Sequence, residues 1–210
     1  MVMRRNILLG HSFLARLTNK LSDLGMAHYI SYGCANVFVK KVDAEYHFDI
    51  IGQGGTKIVD FDVPGKLQEI MSRNEYDCVG LQLGSNDLCP LIASAEEVSS
   101  RLYSMAQCLR DDFKVRHVIM YETLYRFLPA NSARTNKWME VSHEDYNDRV
   151  QEHNGLLRAL SEGEVGIHFR THFYNCKRLG NDGIHIKDDQ QTHYLNSLRC
   201  AAIWALTSGK

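Results

Sequence analysis

With 210 residues, 44% of them apolar, 23% charged and only three prolines, the chain has the length and composition of one globular domain with a substantial core. Its formal charge of -1 and the lack of any Lys/Arg-rich block or acidic tail leave no electrostatic footprint for nucleic acid, and Arg4-Arg5 and Lys40-Lys41 are isolated pairs. No apolar stretch is long enough to span a bilayer. The short apolar run near the amino terminus passes straight into His11 and Ser12 without a small-residue cleavage pattern, so no signal peptide is read and a cytoplasmic or nuclear location is expected. The six cysteines are scattered, with no C-x-x-C pair, as reduced thiols would be.

In chain order, short apolar runs alternate with longer segments of helical period, the pattern of a parallel sheet with crossover helices. The expected strands are Asn6–Leu9, Phe48–Ile51, Cys78–Leu83, Val115–Tyr121 and Val165–Phe169, with Val37–Val39 as a further short candidate. The helical patterns run from Phe13 to Leu24, Val63 to Ser72, Ala95 to Phe113, Asp145 to Leu160 and Asp188 to Leu206. In such a fold the functional groups belong on loops at the carboxyl edge of the sheet. Those loops read Gly10-His11-Ser12, Gly52-Gln53-Gly54-Gly55-Thr56, Gly84-Ser85-Asn86-Asp87 and Gly180-Asn181-Asp182-Gly183-Ile184-His185. The stretch 122–143 is long for a loop and is expected to fold over the site as a lid or to hold a short helix of its own.

Ser12 stands between a strand ending in glycine and the start of a helix, which exposes its hydroxyl at the positive end of the helix dipole. A serine hydroxyl is a weak nucleophile and needs a base, a group that orients the base, and donors for the oxyanion. His185 is the natural base and Asp182, three residues earlier, the candidate orienting acid; Gly180 and Gly183 permit a tight turn that aims both at one point. The backbone N–H of Ser12, one from the glycine loop and the side-chain amide of Asn86 would supply the oxyanion hole. The order Ser, Asp, His is that of the α/β-hydrolases, but the G-x-S-x-G of that fold is missing.

Gly10-His11-Ser12, Gly54, Gly84-Ser85-Asn86-Asp87 and Asp182-Gly183-Ile184-His185 together resemble the four sequence blocks of the SGNH hydrolase superfamily, the GDSL-type esterases and lipases. The resemblance spans nearly the whole chain. It implies a single three-layer α/β/α domain over residues 1–210, with a five-stranded parallel sheet in the flavodoxin-like order 2-1-3-4-5. It implies Ser12 as nucleophile, His185 as base, Asp182 as orienting acid, and Ser12, Gly54 and Asn86 as oxyanion donors, with no metal or organic cofactor. Gly54 rather than Gly55 is chosen because Gln53-Gly54-Gly55-Thr56 matches the x-Gly-Asp-Thr pattern of the family. One departure is plain: His11 stands where the family usually has a structural aspartate. The wording around Leu9–Phe13 and Leu81–Leu88 is also similar to a subgroup found in first-open-reading-frame proteins of animal LINE retrotransposons.

The activity implied is a serine esterase acting on short-chain acyl or acetyl esters through an acyl-enzyme, with a small ester or a lipid as substrate. The alternative is a binding or assembly module that keeps the fold without the catalysis, in a retrotransposon-type ribonucleoprotein or at a lipid surface. Each motif alone is a common turn, and only their joint occurrence at different strand ends carries weight. His168 and His172 lie i, i+4 in or beside a strand, where that spacing builds no metal face, and His143, His153 and His193 have no partner cluster. Tyr125, Phe127 and Trp138 either line an acyl pocket or pack the long loop onto the body.

Overall fold

The computed structural model describes residues 2–23, 28–31, 34–41, 44–61, 65–89, 93–127, 142–171 and 179–208. Trp138, His172 and most of the stretch expected to form a lid therefore lie outside the described residues. The strands are β1 (Val2–Gly10), β2 (His28–Ser31), β3 (Cys34–Lys40), β4 (Ala44–Gly52), β5 (Cys78–Gln82), β6 (His117–Tyr121) and β7 (Ile167–Arg170). The helices are α1 (Ser12–Asp23), α2 (Lys66–Met71), α3 (Ala95–Asp111), α4 (His143–Ser161) and α5 (Gln191–Ser208).

These strands form one seven-stranded sheet in the order β2-β3-β4-β1-β5-β6-β7. The stretch β4-β1-β5-β6-β7 is parallel throughout, while β2 and β3 pair antiparallel with each other and β3 antiparallel with β4. Counted among themselves, the parallel strands follow the order 2-1-3-4-5. The sheet as a whole is mixed, which corrects the expectation of a five-stranded, all-parallel sheet. The correction comes from Cys34–Lys40, of which only Val37–Val39 was legible as a strand: three of its residues are apolar and buried or half-covered, but Phe38 faces out at 55% exposure, and β2 is only four residues long.

Side-chain alternation along the strands divides the core into two layers. Ile7, Leu9, Val79, Leu81, Val118 and Met120 point to the side covered by α2, α3 and α4, where they meet Ile70, Leu102, Met105, Val150 and Leu157. Leu8, Phe48, Ile50, Ile119 and Tyr121 point to the other side, where Leu14, Leu17 and Leu21 of α1 and Leu195, Leu198 and Ala202 of α5 cover them. The spacing of Leu14, Leu17 and Leu21 sets all three on one helical stripe, each wholly excluded from solvent. Helix starts are fixed by serine caps: Ser94 Oγ accepts from Glu97 N at 3.1 Å, with Glu97 reaching back to Ser94 N at 3.0 Å, and Ser142 Oγ accepts from Asp145 N at 3.0 Å. No helix among the described residues is long and apolar enough to cross a membrane.

Candidate active site

The site is built where β1 hands over to α1. Gly10 pairs in register with Gly52 at the matching end of β4, and Gln53 N donates to Gly10 O at 3.1 Å, so the glycine loop leaves the sheet directly beside Ser12. The first turn of α1 lies tight against that strand end. A Cβ on Gly52 would sit 2.2 Å from Ala15 N, a distance no side chain can occupy. His11 O accepts from Leu14 N and Ala15 N at 3.0 and 3.2 Å, which makes His11 the residue on which the helix begins and leaves Ser12 in the first turn, at the positive end of the helix dipole.

Across the site, residues 179–186 form a closed turn. Leu179 and Ile186 bridge antiparallel, Gly180 N donates to His185 O at 2.6 Å, and Gly183 N donates to Gly180 O at 3.0 Å. Asp182 anchors it from within: Oδ1 accepts from Ile184 N at 3.0 Å and from His185 N at 2.9 Å, while Oδ2 lies 2.7 Å from His185 Nδ1. His185 Nε2 then lies 3.2 Å from Ser12 Oγ. Serine, histidine and aspartate are thus joined in one hydrogen-bonded chain, in which Ser12 and His185 are 173 positions apart in sequence. Gly183 has φ +66° and a Cβ there would fall 1.7 Å from Phe127 O, because Phe127 N donates to Gly183 O at 2.9 Å and the two backbones run in contact.

The electrostatics suit a proton relay. Burial is the foremost cause that lowers the His185 pKa below its usual value, opposed by the Asp182 carboxylate and assisted by Arg16 and Arg126. Partial burial pushes the Asp182 carboxyl up, but its bonds from the His185 ring and from the His185 and Ile184 amides outweigh that and hold it below the usual carboxylate range. A neutral imidazole donating from Nδ1 to an ionised carboxylate leaves Nε2 as an acceptor facing Ser12.

Asn86 lies on the loop after β5. Its Nδ2 donates to Thr56 O at 3.0 Å, which fixes the amide against the glycine loop and leaves its second N–H uncommitted to that bond. Asp87, 6% exposed, accepts from Ile58 N at 3.1 and 3.3 Å and so fastens the same two loops together. Gly55 has φ +74°, which explains its lack of a side chain by backbone conformation alone. Gly54 has no such need, and a Cβ on it would meet nothing within 4 Å; the space above it is open. Ser12, Gly54 and Asn86 therefore sit on three loops that are bonded to one another at the carboxyl edge of the sheet. A cavity of about 810 Å³ opens at the opposite edge, lined by Arg5, Asn74, Asp77 and Lys114, remote from this hydrogen-bonded chain.

Solved structures with a similar fold include a lipase and two esterases. A GDSL-like lipase from Bacteroides thetaiotaomicron superimposes with a TM-score of 0.68 at 16% identity, over 97% of this chain and 89% of that one. The chain shares the fold of GDSL-like hydrolases. A carbohydrate esterase of family 3 from Talaromyces cellulolyticus matches with a TM-score of 0.62 at 14% identity over 100% of both chains. A catalytic mutant of an acetylxylan esterase from Geobacillus stearothermophilus matches with a TM-score of 0.57 at 12% identity over 99% of this chain and 95% of that one. No family model and no curated protein matches the sequence.

Three other histidines, His117, His153 and His168, take the roles of packing groups. His168 Nε2 lies 3.1 Å from His117 Nδ1 on the neighbouring strand with the rings stacked, and His153 Nδ1 lies 2.7 Å from Ser99 Oγ between α4 and α3. Tyr125 packs on the core and Phe127 is 39% exposed beside the Asp182 turn. The residue between them was missed in the sequence: Arg126, whose guanidinium contacts Ser85, Cys89 and the Tyr146 ring. The signal was there to read, an arginine between two aromatic residues just past a strand end at the carboxyl edge.

Proposed function

We propose that the protein is a serine esterase of one SGNH-type domain, cleaving short acyl or acetyl esters through an acyl-enzyme. The observation that carries this reading is the unbroken contact chain from Ser12 Oγ to His185 Nε2 and from His185 Nδ1 to Asp182 Oδ2. Ser12 Oγ attacks the ester carbonyl while His185 Nε2 takes its proton. The tetrahedral oxyanion receives N–H groups from Ser12, Gly54 and Asn86, and collapse expels the alcohol, to which His185 returns the proton. Water then attacks the acyl-Ser12 ester with the same base, and the carboxylic acid leaves. Asp182 keeps the imidazole in the required tautomer throughout. Every step is served by side chains and backbone of this chain, so the reading needs no metal or organic cofactor.

The shared fold supports the class: the similar structures named above are those of a lipase, a carbohydrate esterase and an acetylxylan esterase. The test is covalent labelling with a fluorophosphonate followed by mass mapping, together with p-nitrophenyl acetate turnover. Labelling confined to Ser12, and turnover lost in Ser12→Ala, are the expected results. Equal turnover by wild type and Ser12→Ala would overturn the reading. A binding or assembly module in a retrotransposon-type particle would leave Ser12 unlabelled, so the same experiment separates the two.

A further inference from the structure

Arg126 is a buried cation. Its side chain is 6% exposed, and its contacts are Ser85 Oγ at 3.0 Å from Nη2, Cys89 Sγ at 3.0 Å from Nη1, and the Tyr146 ring, whose centroid lies 4.3 Å from the guanidinium carbon. Among the described residues no carboxylate pairs with it and its Nε has no hydrogen-bond partner. Two histidines that feel its charge also carry unpartnered buried nitrogens: among the described residues neither ring nitrogen of His11, which is 1% exposed, has a hydrogen-bond partner, nor has Nε2 of His143 at the start of α4. His11 adds no second cation: burial foremost, then the charges of Arg126 and His185, hold its pKa down to about 3, and burial with the Arg126 charge lowers that of His143 as well.

Buried arginine is ordinarily matched by a carboxylate, since a desolvated, unpaired cation is among the costliest things a fold can carry. Clusters of unsatisfied buried polar atoms call for an ion or ligand that satisfies them. The cluster's position is informative. Ser85, which Arg126 holds, precedes Asn86 of the oxyanion loop. Phe127, the next residue, pairs with Gly183 inside the Asp182–His185 turn, and His11 precedes Ser12.

We propose that Arg126, together with the unpartnered ring nitrogens of His11 and His143, forms an anion-receiving subsite next to Ser12, and that the ester it selects carries a compact carboxylate or phosphate group within a few bonds of its carbonyl. A guanidinium fork suits a planar carboxylate or a phosphate, and two neutral imidazoles donate to either. The substrate assignment rests on the Ser12 esterase reading; the anion site does not.

The test pairs esters of equal length, monoethyl succinate and ethyl butyrate, followed by acid release. Wild type should favour the succinate ester in kcat/KM by about 10- to 100-fold, the range for a hydrogen bond to a charged group. Arg126→Met should bring that ratio close to one. So should His11→Asp, which keeps the Arg126 contacts to Ser85 and Cys89 while supplying a carboxylate in the field of the guanidinium, and so guards against misfolding in the methionine variant. A ratio that is near one in wild type, or that survives in both variants, overturns the substrate assignment while Ser12 turnover stands. In parallel, folded Ser12→Ala protein is melted with succinate or inorganic phosphate. A rise in Tm that disappears in Ser12→Ala/Arg126→Met supports the site even if no ester is cleaved. A rise in Tm without an ester preference identifies a free anion as the occupant and overturns the substrate assignment. No rise and no preference overturns the proposal entirely.

Discussion

Replacing Asp182 by asparagine separates what this side chain does for the fold from what it does for the reaction. In the native turn Oδ1 accepts from two backbone amides and Oδ2 from the His185 ring. Asparagine keeps an oxygen for the two amides, so the turn survives, and the Asp182 side chain is 43% exposed, so its charge is well screened. Stability should change by less than about 1 kcal/mol, or about 2–4 °C in Tm for a chain of this size. At the ring, however, an N–H₂ now faces Nδ1. Nδ1 must become the acceptor, the proton moves to Nε2, and the atom 3.2 Å from Ser12 Oγ becomes a donor that cannot take the serine proton. A tautomer inversion of this kind costs about 10⁴ in kcat, or about 5 kcal/mol of transition-state stabilisation. The assay is kcat/KM for p-nitrophenyl acetate alongside a thermal melt of the same preparation. Asp182→Asn retaining more than a tenth of wild-type activity with an unchanged Tm would refute the relay.

Other consequences can be measured directly. Because protonated His185 cannot act as base, kcat/KM for a neutral ester should rise with pH through an inflection below the usual imidazole value of about 6.5, where burial has lowered it; a flat profile between pH 5 and 8 would remove His185 from the role. Gly183→Ala should be destabilising by about 2–3 kcal/mol, combining the left-handed backbone penalty with loss of the Phe127 contact, whereas Gly54→Ala, whose Cβ meets no protein atom, should melt with wild type; equal melting of both variants would contradict the geometry. Acid should unfold the protein early. His11 and His153 have folded pKa values of about 3 and about 4, both depressed chiefly by burial, so the unfolded chain binds more protons. Their contribution is intact above about pH 6.5 and is lost as pH falls toward 4, by about 1.4 kcal/mol per pH unit for each histidine. Urea midpoints at pH 7.5, 6 and 5 read this, and identical midpoints would refute it.

Local pattern made much of this molecule legible. The runs at 6–9, 78–83 and 115–121 became strands whose inner lengths are covered on both faces, which is why they are largely apolar, whereas 48–51 lies in a strand that alternates buried and half-buried positions, Asp49 among the latter. β1 and β4 extend further toward their polar starts than the sequence indicated, since Arg4, Arg5, Glu45 and His47 keep the backbone pairing without an apolar pattern to announce it. The hairpin of β2 and β3 was largely hidden for a related reason: an outer antiparallel pair is held by its ladder, and Phe38 at 55% exposure breaks the alternation that marks a covered strand. Glycine and short polar residues at strand ends told which loops could carry chemistry, because backbone conformation and residue type are coupled locally.

The sequence by itself determined the residue types: a serine at a helix start, a D-x-x-H turn, a glycine loop and a G-x-N-D loop, in that order. Only the tertiary structure decided that Nε2 of the last histidine comes to Ser12 Oγ, since the register of parallel strands and the packing of α1 on Gly52 set distances between segments far apart in the chain. It also decided what no spacing could announce, that Arg126 is buried and that no carboxylate among the described residues pairs with it. Burial and charge balance are properties of neighbours in space, and neighbours in space are what folding creates.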